Sequence, residues 1–297
     1  MIVSNTEITS YSTCKRAHYY RFIMDLEPKE HILSKALFRG IVGHRIWEAY
    51  YQALKDGYTV DEAKQIGLDK QREEVEKVVA ENPEHYDMIQ IVMELRTLFD
   101  TYTEVYRVDD FKPIEVETVF STTMRPGLDY GLRLDVLAEM TKGEYRGDIV
   151  VLDHKFLYNF KTPDEIDMDG QLPKYISTVR ASGVVVTKGR FNMIRYRSLK
   201  NNAPEELFHR EWIKPKKREI EQIWKDQTKV ADEIEYMKQL PPAQASEEAV
   251  RNMSPYICRS CYFKKLCKLE LNGQDITNAV VMDYQPNTYG YQSYVED

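Results

Sequence analysis

Asp153, His154 and Lys155 close an apolar run, Ile149-Val150-Val151-Leu152, that follows Gly147 and Asp148. Four apolar residues behind such a break predict a buried strand. Side chains alternate along a strand, so Asp153 and Lys155 share one face and His154 points to the other. A carboxylate and an ammonium converging at a strand end can hold a divalent cation and steady an attacking water. The same two residues also make an ordinary same-face ion pair, and the spacing recurs in Glu27-Pro28-Lys29 and Glu62-Ala63-Lys64. A second chemical group is sulfur: Cys258-x2-Cys261-x5-Cys267 is compact, and Cys14 is the one further cysteine. Three clustered thiolates lack one ligand for a tetrahedral zinc or a cubane cluster, and Cys14 is the cysteine left to supply it. By analogy with disulfide loops, closing so long a loop is worth at most about 5 kcal/mol. Such a centre would pin the N-terminal helix to the C-terminal segment. With zinc, His18, one turn after Cys14, is a substitute ligand. The alternative is four unrelated buried cysteines, which the flanking Arg259, Lys264 and Lys265 disfavour.

The whole chain sets bounds on this chemistry. Its 297 residues, 42% hydrophobic and 30% charged, describe a globular protein rather than a disordered one. A formal net charge of −7 argues against a generally basic nucleic-acid binder. It leaves room for a local basic groove, because exposed charges much beyond about 10 Å are screened from one another. No apolar run has the length of a membrane span, and Met1-Ile2-Val3-Ser4-Asn5-Thr6-Glu7 is no signal peptide. A cytoplasmic protein is expected, whose cysteines serve metal or redox chemistry rather than disulfides.

The elements that must position these groups are legible in order. Thr9 to Glu27 reads as a helix with Arg16 and Arg21 among Tyr19, Tyr20 and Phe22. Ser34 to Asp56 is a second, stopped by Gly57. It carries Gly40-x3-His44-x3-Glu48 on one face, the glycine allowing close approach of whatever lies opposite. Thr59 caps a charged, solvated third helix from Asp61 to about Ala80 with poor periodicity around Gly67. Asn82-Pro83 breaks the chain, and Glu84 to Arg107 forms a fourth with a stripe of Ile89, Val92, Met93, Leu95, Leu98, Phe99 and Tyr102. Strands follow at Ile114–Phe120 and Tyr130–Leu137, joined by Arg125-Pro126-Gly127. After the Asp-His-Lys strand, Asp164 to Arg180 is helical with Gln171 and Tyr175 one turn apart. Pro173 moves the expected start towards Gly170-Gln171. Val184–Thr187 and Phe191–Arg197 suggest a strand or hairpin, Leu207–Ile213 another strand, and about Pro215 to Leu240 a long helix. Pro241-Pro242 ends it. Asp283 to Asp297 is expected to be irregular. The stretch 57–113 exceeds what the chemistry needs, which makes it a candidate gate. No internal repeat is visible.

Taken together, these residues resemble the RecB-like branch of the PD-(D/E)XK nucleases, and within it the iron–sulfur members: the CRISPR-associated RecB-like exonucleases and the nuclease domain of AddB. Ser10-x3-Cys14-Lys15-Arg16-Ala17-His18-Tyr19-Tyr20 is similar to the N-terminal motif, with Lys15 where proline is usual. Gly40-x3-His44 is similar to the helical histidine motif and Gly131-x3-Asp135 to the strand aspartate. Asp153-x-Lys155 matches the (D/E)-x-K pair, Gln171-x3-Tyr175 the following helix, and Cys258-x2-Cys261-x5-Cys267 the cluster motif. Each piece is weak by itself; six in the family's order are not.

The resemblance implies an α/β (α+β) fold, a mixed sheet flanked by helices, as one domain over 1–282 with an irregular tail over 283–297. Within it, 1–113 would be mainly helical, 114–214 the sheet core, and 215–270 the last helix and cysteine segment. It implies a [4Fe-4S] cluster on Cys14, Cys258, Cys261 and Cys267. It also implies Mg2+ or Mn2+ on His44, Asp135, Asp153 and the main-chain carbonyl of His154, with Lys155 steadying the water. Gln171 and Tyr175 would position the phosphate. Glu48, one turn after His44, is a further candidate for an outer role at the metal. Arg16, Tyr19, Tyr20 and Arg21 could stack and track a single strand, or cover the cluster; Lys216 and Lys217 would bind phosphate without reading sequence. The implied activity is a metal-dependent deoxyribonuclease, an exonuclease processing DNA ends. The alternative is a non-catalytic DNA-binding subunit. Helicase or CRISPR adaptation proteins are candidate partners, since the chain has no Gly-x4-Gly-Lys-[Ser/Thr] phosphate loop of its own. A phage-encoded protein acting in the host cytoplasm is the alternative location.

Overall fold

In the computed structural model, which describes residues 1–29, 34–81, 86–197 and 203–287, the run ending on Asp153-His154-Lys155 is a strand, β5 (Ile149–Leu157). Its residues 150–154 are buried in succession, as expected where both faces of a sheet are covered. Contacts divide the chain into two units. The sheet unit takes in Leu33–Phe120 and Arg133–Ile223, and the cysteine unit Met1–Ile32, Ser121–Leu132 and Trp224–Asp297.

In the sheet unit, β3 (Phe111–Arg125) pairs with β4 (Leu128–Met140), and β4 runs antiparallel to β5 with Val136 opposite Leu152. The strand β6 (Gly189–Arg195) lies parallel to β5, and β7 (Phe208–Ile213) antiparallel to β6. Parallel neighbours need a crossover, here two helices rather than the single one expected over 164–180. They are labelled α6 (Pro163–Asp167) and α7 (Gln171–Ala181) in the chain order used for every helix below. Thr162 and Glu165 cap α6 reciprocally, and Pro173 falls in the first turn of α7, where no N–H is required of it. Val184–Thr187 is not a strand: Val185 is 82% exposed and the ladder begins only at Gly189.

Helices α3 (Lys35–Lys55), α4 (Val60–Glu81) and α5 (Tyr86–Val105) pack on one another. Ser34 Oγ accepts from the Leu37 amide at the start of α3, and Gly57, at φ +92°, follows its end. The expected break at Asn82-Pro83 lies outside the described residues. Described residues of the stretch 57–113 contribute to a core. Ile91, Val92, Leu95, Leu98, Phe99 and Tyr102 are buried with Trp47, and α4 contributes buried Ala63. Gly67, where the periodicity failed, admits Phe99, whose ring would lie 2.4 Å from an added Cβ.

Across the sheet, His154, Asn192 and Arg210 stand in register on β5, β6 and β7. His154 Nδ1 lies 2.8 Å from Asn192 Nδ2, which also donates to Tyr102 Oη at 2.8 Å. Arg210 reaches Asp109 at 2.6 Å and Tyr102 at 2.9 Å. This row grips the far face of the strand that carries Asp153 and Lys155.

The glycine singled out in α3 is not the one that matters. A Cβ at Gly40 would meet nothing within 4 Å, whereas one at Gly43 would lie 2.5 Å from the Phe156 ring. Gly43 precedes His44 and Phe156 follows Lys155, so this contact sets the distance between two site-bearing elements. Gly43→Ala is expected to cost about 1–3 kcal/mol through overpacking, and Gly40→Ala to gain up to about 1 kcal/mol in helix propensity. Urea melts of the two variants check the contrast.

In the cysteine unit, β1 (Ile2–Ser4) runs parallel to the start of β4, with Ile2 opposite Asp129. The expected helix over 9–27 is broken into α1 (Asn5–Thr13), α2 (Lys15–His18) and a π-helix, Tyr19–Ile23. The break is Cys14, extended at φ −161° and ψ 110°, and beyond the π-helix the chain becomes a strand, β2 (Leu26–Pro28). The remaining elements are α8 (Lys217–Gln239), α9 (Pro242–Glu248), α10 (Pro255–Arg259), α11 (Lys264–Leu271) and α12 (Thr277–Asp283). The tail expected to be irregular opens with a strand, β8 (Tyr284–Pro286), antiparallel to β2; residues 288–297 lie outside the described set. No helix among the described residues is long and apolar enough to cross a membrane.

Candidate active site

The fold brings Asp153 and Lys155 onto one face of β5, as the alternation required. Lys155 Nζ lies 2.6 Å from Asp153 Oδ2 and donates to Gln171 Oε1 at 2.6 Å. Gln171, the first residue of α7, turns its Nε2 to Asp153 Oδ1 at 3.0 Å and to Tyr175 Oη at 2.7 Å. One amide therefore ties lysine, aspartate and tyrosine together. The expected role of Gln171 and Tyr175 was to meet phosphate; their contacts here hold the lysine and the carboxylate in place.

Asp135 approaches from β4. The ladder pairs Val136 with Leu152, and the next residues along the two strands are Asp135 and Asp153. Asp135 Oδ2 accepts from the His154 amide at 2.6 Å. Helix α3 supplies His44, whose Nδ1 lies 3.4 Å from Asp135 Oδ2 and 3.9 Å from Glu117 Oε1. His44, Glu117 and Asp135 each offer a ligand atom within 4.8 Å of the others, and among the described residues no further such group of three is found. Asp153 stands just outside it, both oxygens turned to Lys155 and Gln171.

The electrostatics follow from burying like charges together. Burial pushes the Asp153 carboxyl up to about 6 despite Lys155 beside it, and burial raises Asp135 as well. Burial opposes a charge on His44, yet Asp135, Glu117 and Asp153 outweigh it and raise the imidazole to about 9. Burial likewise opposes the Lys155 charge, and Asp153 holds its pKa above the ordinary lysine value. Glu48 is raised by burial and by Glu117; it lines a separate cleft with Arg45, Lys70 and Glu73.

Glu117 was missed. It sits in an alternating strand whose pattern gives no reason to prefer it over Glu115, and its backbone φ of +46° is invisible in sequence. Only its proximity to His44 and Asp135 reveals it.

In the cysteine unit, Cys14, Cys258, Cys261 and Cys267 line one cavity of about 320 Å³, with Arg16, Tyr20, Arg251 and Phe263. Arg16 donates to Ser246 at 2.9 Å and Tyr20 to Glu270 at 2.6 Å, and Arg16, Tyr19 and Tyr20 are all buried. Arg16 and Tyr20 therefore wall the cysteine cavity, while Tyr19 turns its hydroxyl to the Pro242 carbonyl at 3.4 Å. Arg21 is half-buried, and Lys216 and Lys217 are exposed at the start of α8. His18 is no spare ligand: it is buried, lies 3.0 Å from Glu7 Oε1 and stacks on Phe22.

Among curated proteins no sequence match is found. Of the known structures, 16 chains resemble this one. One, titled "Crystal structure of SSO0001", is 13% identical, with 90% of this chain and 85% of that chain covered at a TM-score of 0.39. The sequence profile of the PD-(D/E)XK nuclease superfamily matches residues 2–268, which takes in every residue of the site described above. The chain belongs to the PD-(D/E)XK nuclease superfamily.

Proposed function

We propose that the protein is a metal-dependent deoxyribonuclease, an exonuclease that trims DNA ends. One observation carries the reading: a histidine, two aspartates and a lysine from α3, β4 and β5 converge on one point, with Gln171 fixing the lysine. The exonuclease assignment rests on the resemblance to RecB-like enzymes.

The residues fit a hard divalent ion. Carboxylates and a main-chain carbonyl suit Mg2+, and one imidazole favours Mn2+. His44, Asp135, Asp153 and the His154 carbonyl would hold it. His44 Nδ1 and Asp135 Oδ2 already stand 3.4 Å apart, and Asp153, next to Asp135 across the ladder, keeps its Oδ2 on the Lys155 ammonium at 2.6 Å. Once bound, the ion supplies Lewis-acid polarisation of a phosphoryl oxygen and acidifies water. Lys155 Nζ, steered by Gln171 and Asp153, orients the attacking water and offsets the negative charge that builds on the phosphorus oxygens. Tyr175 and Gln171 keep that ammonium from swinging away. The test is cleavage of end-labelled single- and double-stranded DNA, linear against circular, with Mg2+ or Mn2+. Cutting of linear DNA alone is expected; equal cutting of circles would overturn the exonuclease reading.

The pH dependence has a definite sign. The raised pKa of His44 stabilises the metal-free fold fully below its ordinary value near 6.5, and that contribution is lost as pH rises through about 9. A cation must displace this proton, so apparent Mn2+ affinity rises between pH 7 and 9, by up to roughly tenfold per unit. Calorimetric titrations at three pH values check the slope.

The four cysteines we assign to a [4Fe-4S] cluster. All four thiols line one cavity, and four thiolates are the ligand set that a cubane cluster takes. The Arg251 guanidinium is drawn to Cys267, which together with Glu270 raises its pKa against the effect of burial.

A further inference from the structure

Glu117 has a left-handed backbone in the middle of β3, at φ +46°. Left-handed backbone in a non-glycine strand residue is costly, and it persists only where its surroundings impose it. The strand shows the disturbance: Phe111 and Pro113 are buried in alternation, but the next buried residue is Val116. A slip of one position is what a bulge produces, and a bulge re-aims the side chain beside it. The bulge has its own supports. Thr118 Oγ1 donates to the Val116 carbonyl at 3.1 Å and to Glu115 Oε2 at 3.3 Å, and Glu115 is paired with Lys55 at 2.6 Å.

The Glu117 carboxylate has no such support. Among the described residues its one charged partner is His44, at 3.9 Å, while the Asp135 carboxylate lies beside it. Its side chain is 17% exposed, so water does little to relieve this crowding of negative charge. Asp153 is in the opposite condition, with Lys155 and Gln171 on its two oxygens. The half-buried carboxylate with room for a cation is therefore Glu117.

We propose that Glu117 is a direct ligand of the divalent cation, in the same shell as His44 and Asp135, and that the strained backbone is retained because it aims this carboxylate. The proposal rests on the nuclease-site reading above and adds to it a ligand on β3. It also explains why strain lies at this residue and not at Glu115, whose carboxylate has a lysine.

The experiment separates the two readings. Metal-free wild type, Glu117→Gly, Glu117→Gln and Asp135→Asn are titrated with Mn2+ by calorimetry and melted with and without Mn2+. Glycine removes the ligand and relieves the backbone; glutamine removes the negative charge and leaves the backbone as it is. Both Glu117 variants are expected to bind Mn2+ at least tenfold more weakly than wild type. Metal-free Glu117→Gly is expected to melt at or above the wild-type temperature, and its gain in melting temperature on adding Mn2+ to shrink. A role confined to shaping the bulge would leave Mn2+ affinity unchanged in Glu117→Gln, which would overturn the proposal. A lower melting temperature for metal-free Glu117→Gly would overturn the strain argument. If Asp135→Asn also binds Mn2+ as wild type does, the underlying site reading fails. If Asp135→Asn loses Mn2+ and both Glu117 variants keep it, the site stands and Glu117 is not a ligand.

Discussion

Lys155→Ala is expected to lower the rate of DNA cleavage by roughly three orders of magnitude, the effect of losing a donor aimed at developing charge. The variant should still fold, because β5 is held mainly by its buried run 150–154 and by the row His154, Asn192 and Arg210 on its other face. Its metal site does not stay untouched. Burial and the Asp135 charge already raise the Asp153 carboxyl to about 6 against the Lys155 ammonium, and removing that ammonium shifts it further upward. The variant is therefore expected to bind Mn2+ more weakly than wild type at the lower pH and to regain binding, but not cleavage, as pH rises. Single-turnover cleavage and Mn2+ titration at pH 7 and 8.5 separate these effects. Full activity of Lys155→Ala at either pH would remove the lysine from the mechanism.

Loss of the cysteine centre is expected to be larger still in stability. Cys14 precedes α2 in an extended break, and its partners lie in or beside α10 and α11, so one bound cofactor closes most of the chain into a loop. The ceiling for that constraint is about 5 kcal/mol by loop entropy, comparable with the whole stability of many domains. Cys14→Ser should purify without iron and without visible colour. Its cysteine unit should become sensitive to trypsin at Arg251, Lys264 and Lys268, which line the cavity. Iron and sulfide analysis of anaerobically purified wild type gives the matching positive result. Stoichiometric zinc in a colourless wild type would replace the cluster with a different centre on the same thiols.

Several parts of the site were legible because local chemistry fixes them. An apolar run behind Gly147 makes β5 and assigns Asp153 and Lys155 to one face. Ser34 and Gly57 bound α3 and place His44 on it; Pro173 marks the start of α7, and with it Gln171 and Tyr175. Each depends on a residue's own backbone preference or on neighbours within a turn. The family follows from the order of these motifs.

Other parts depended on which elements meet, and only the tertiary structure decided those. Cross-strand register aligns His154 with Asn192 and Arg210, and no single strand carries that information. Gly43 rather than Gly40 is the tight glycine because Phe156 packs there. Tyr20 is buried as a wall of the cysteine cavity, and Tyr19 is buried with its hydroxyl on the Pro242 carbonyl. Glu117 lies beside His44 and Asp135 on a left-handed backbone, against the preference of a residue of its type. The sequence by itself determined the strand that ends on Asp153-His154-Lys155, the helices that carry His44 and Gln171, and the superfamily. The tertiary structure decided which carboxylates lie together, since that turns on distances between residues far apart in the chain, which local preference does not encode.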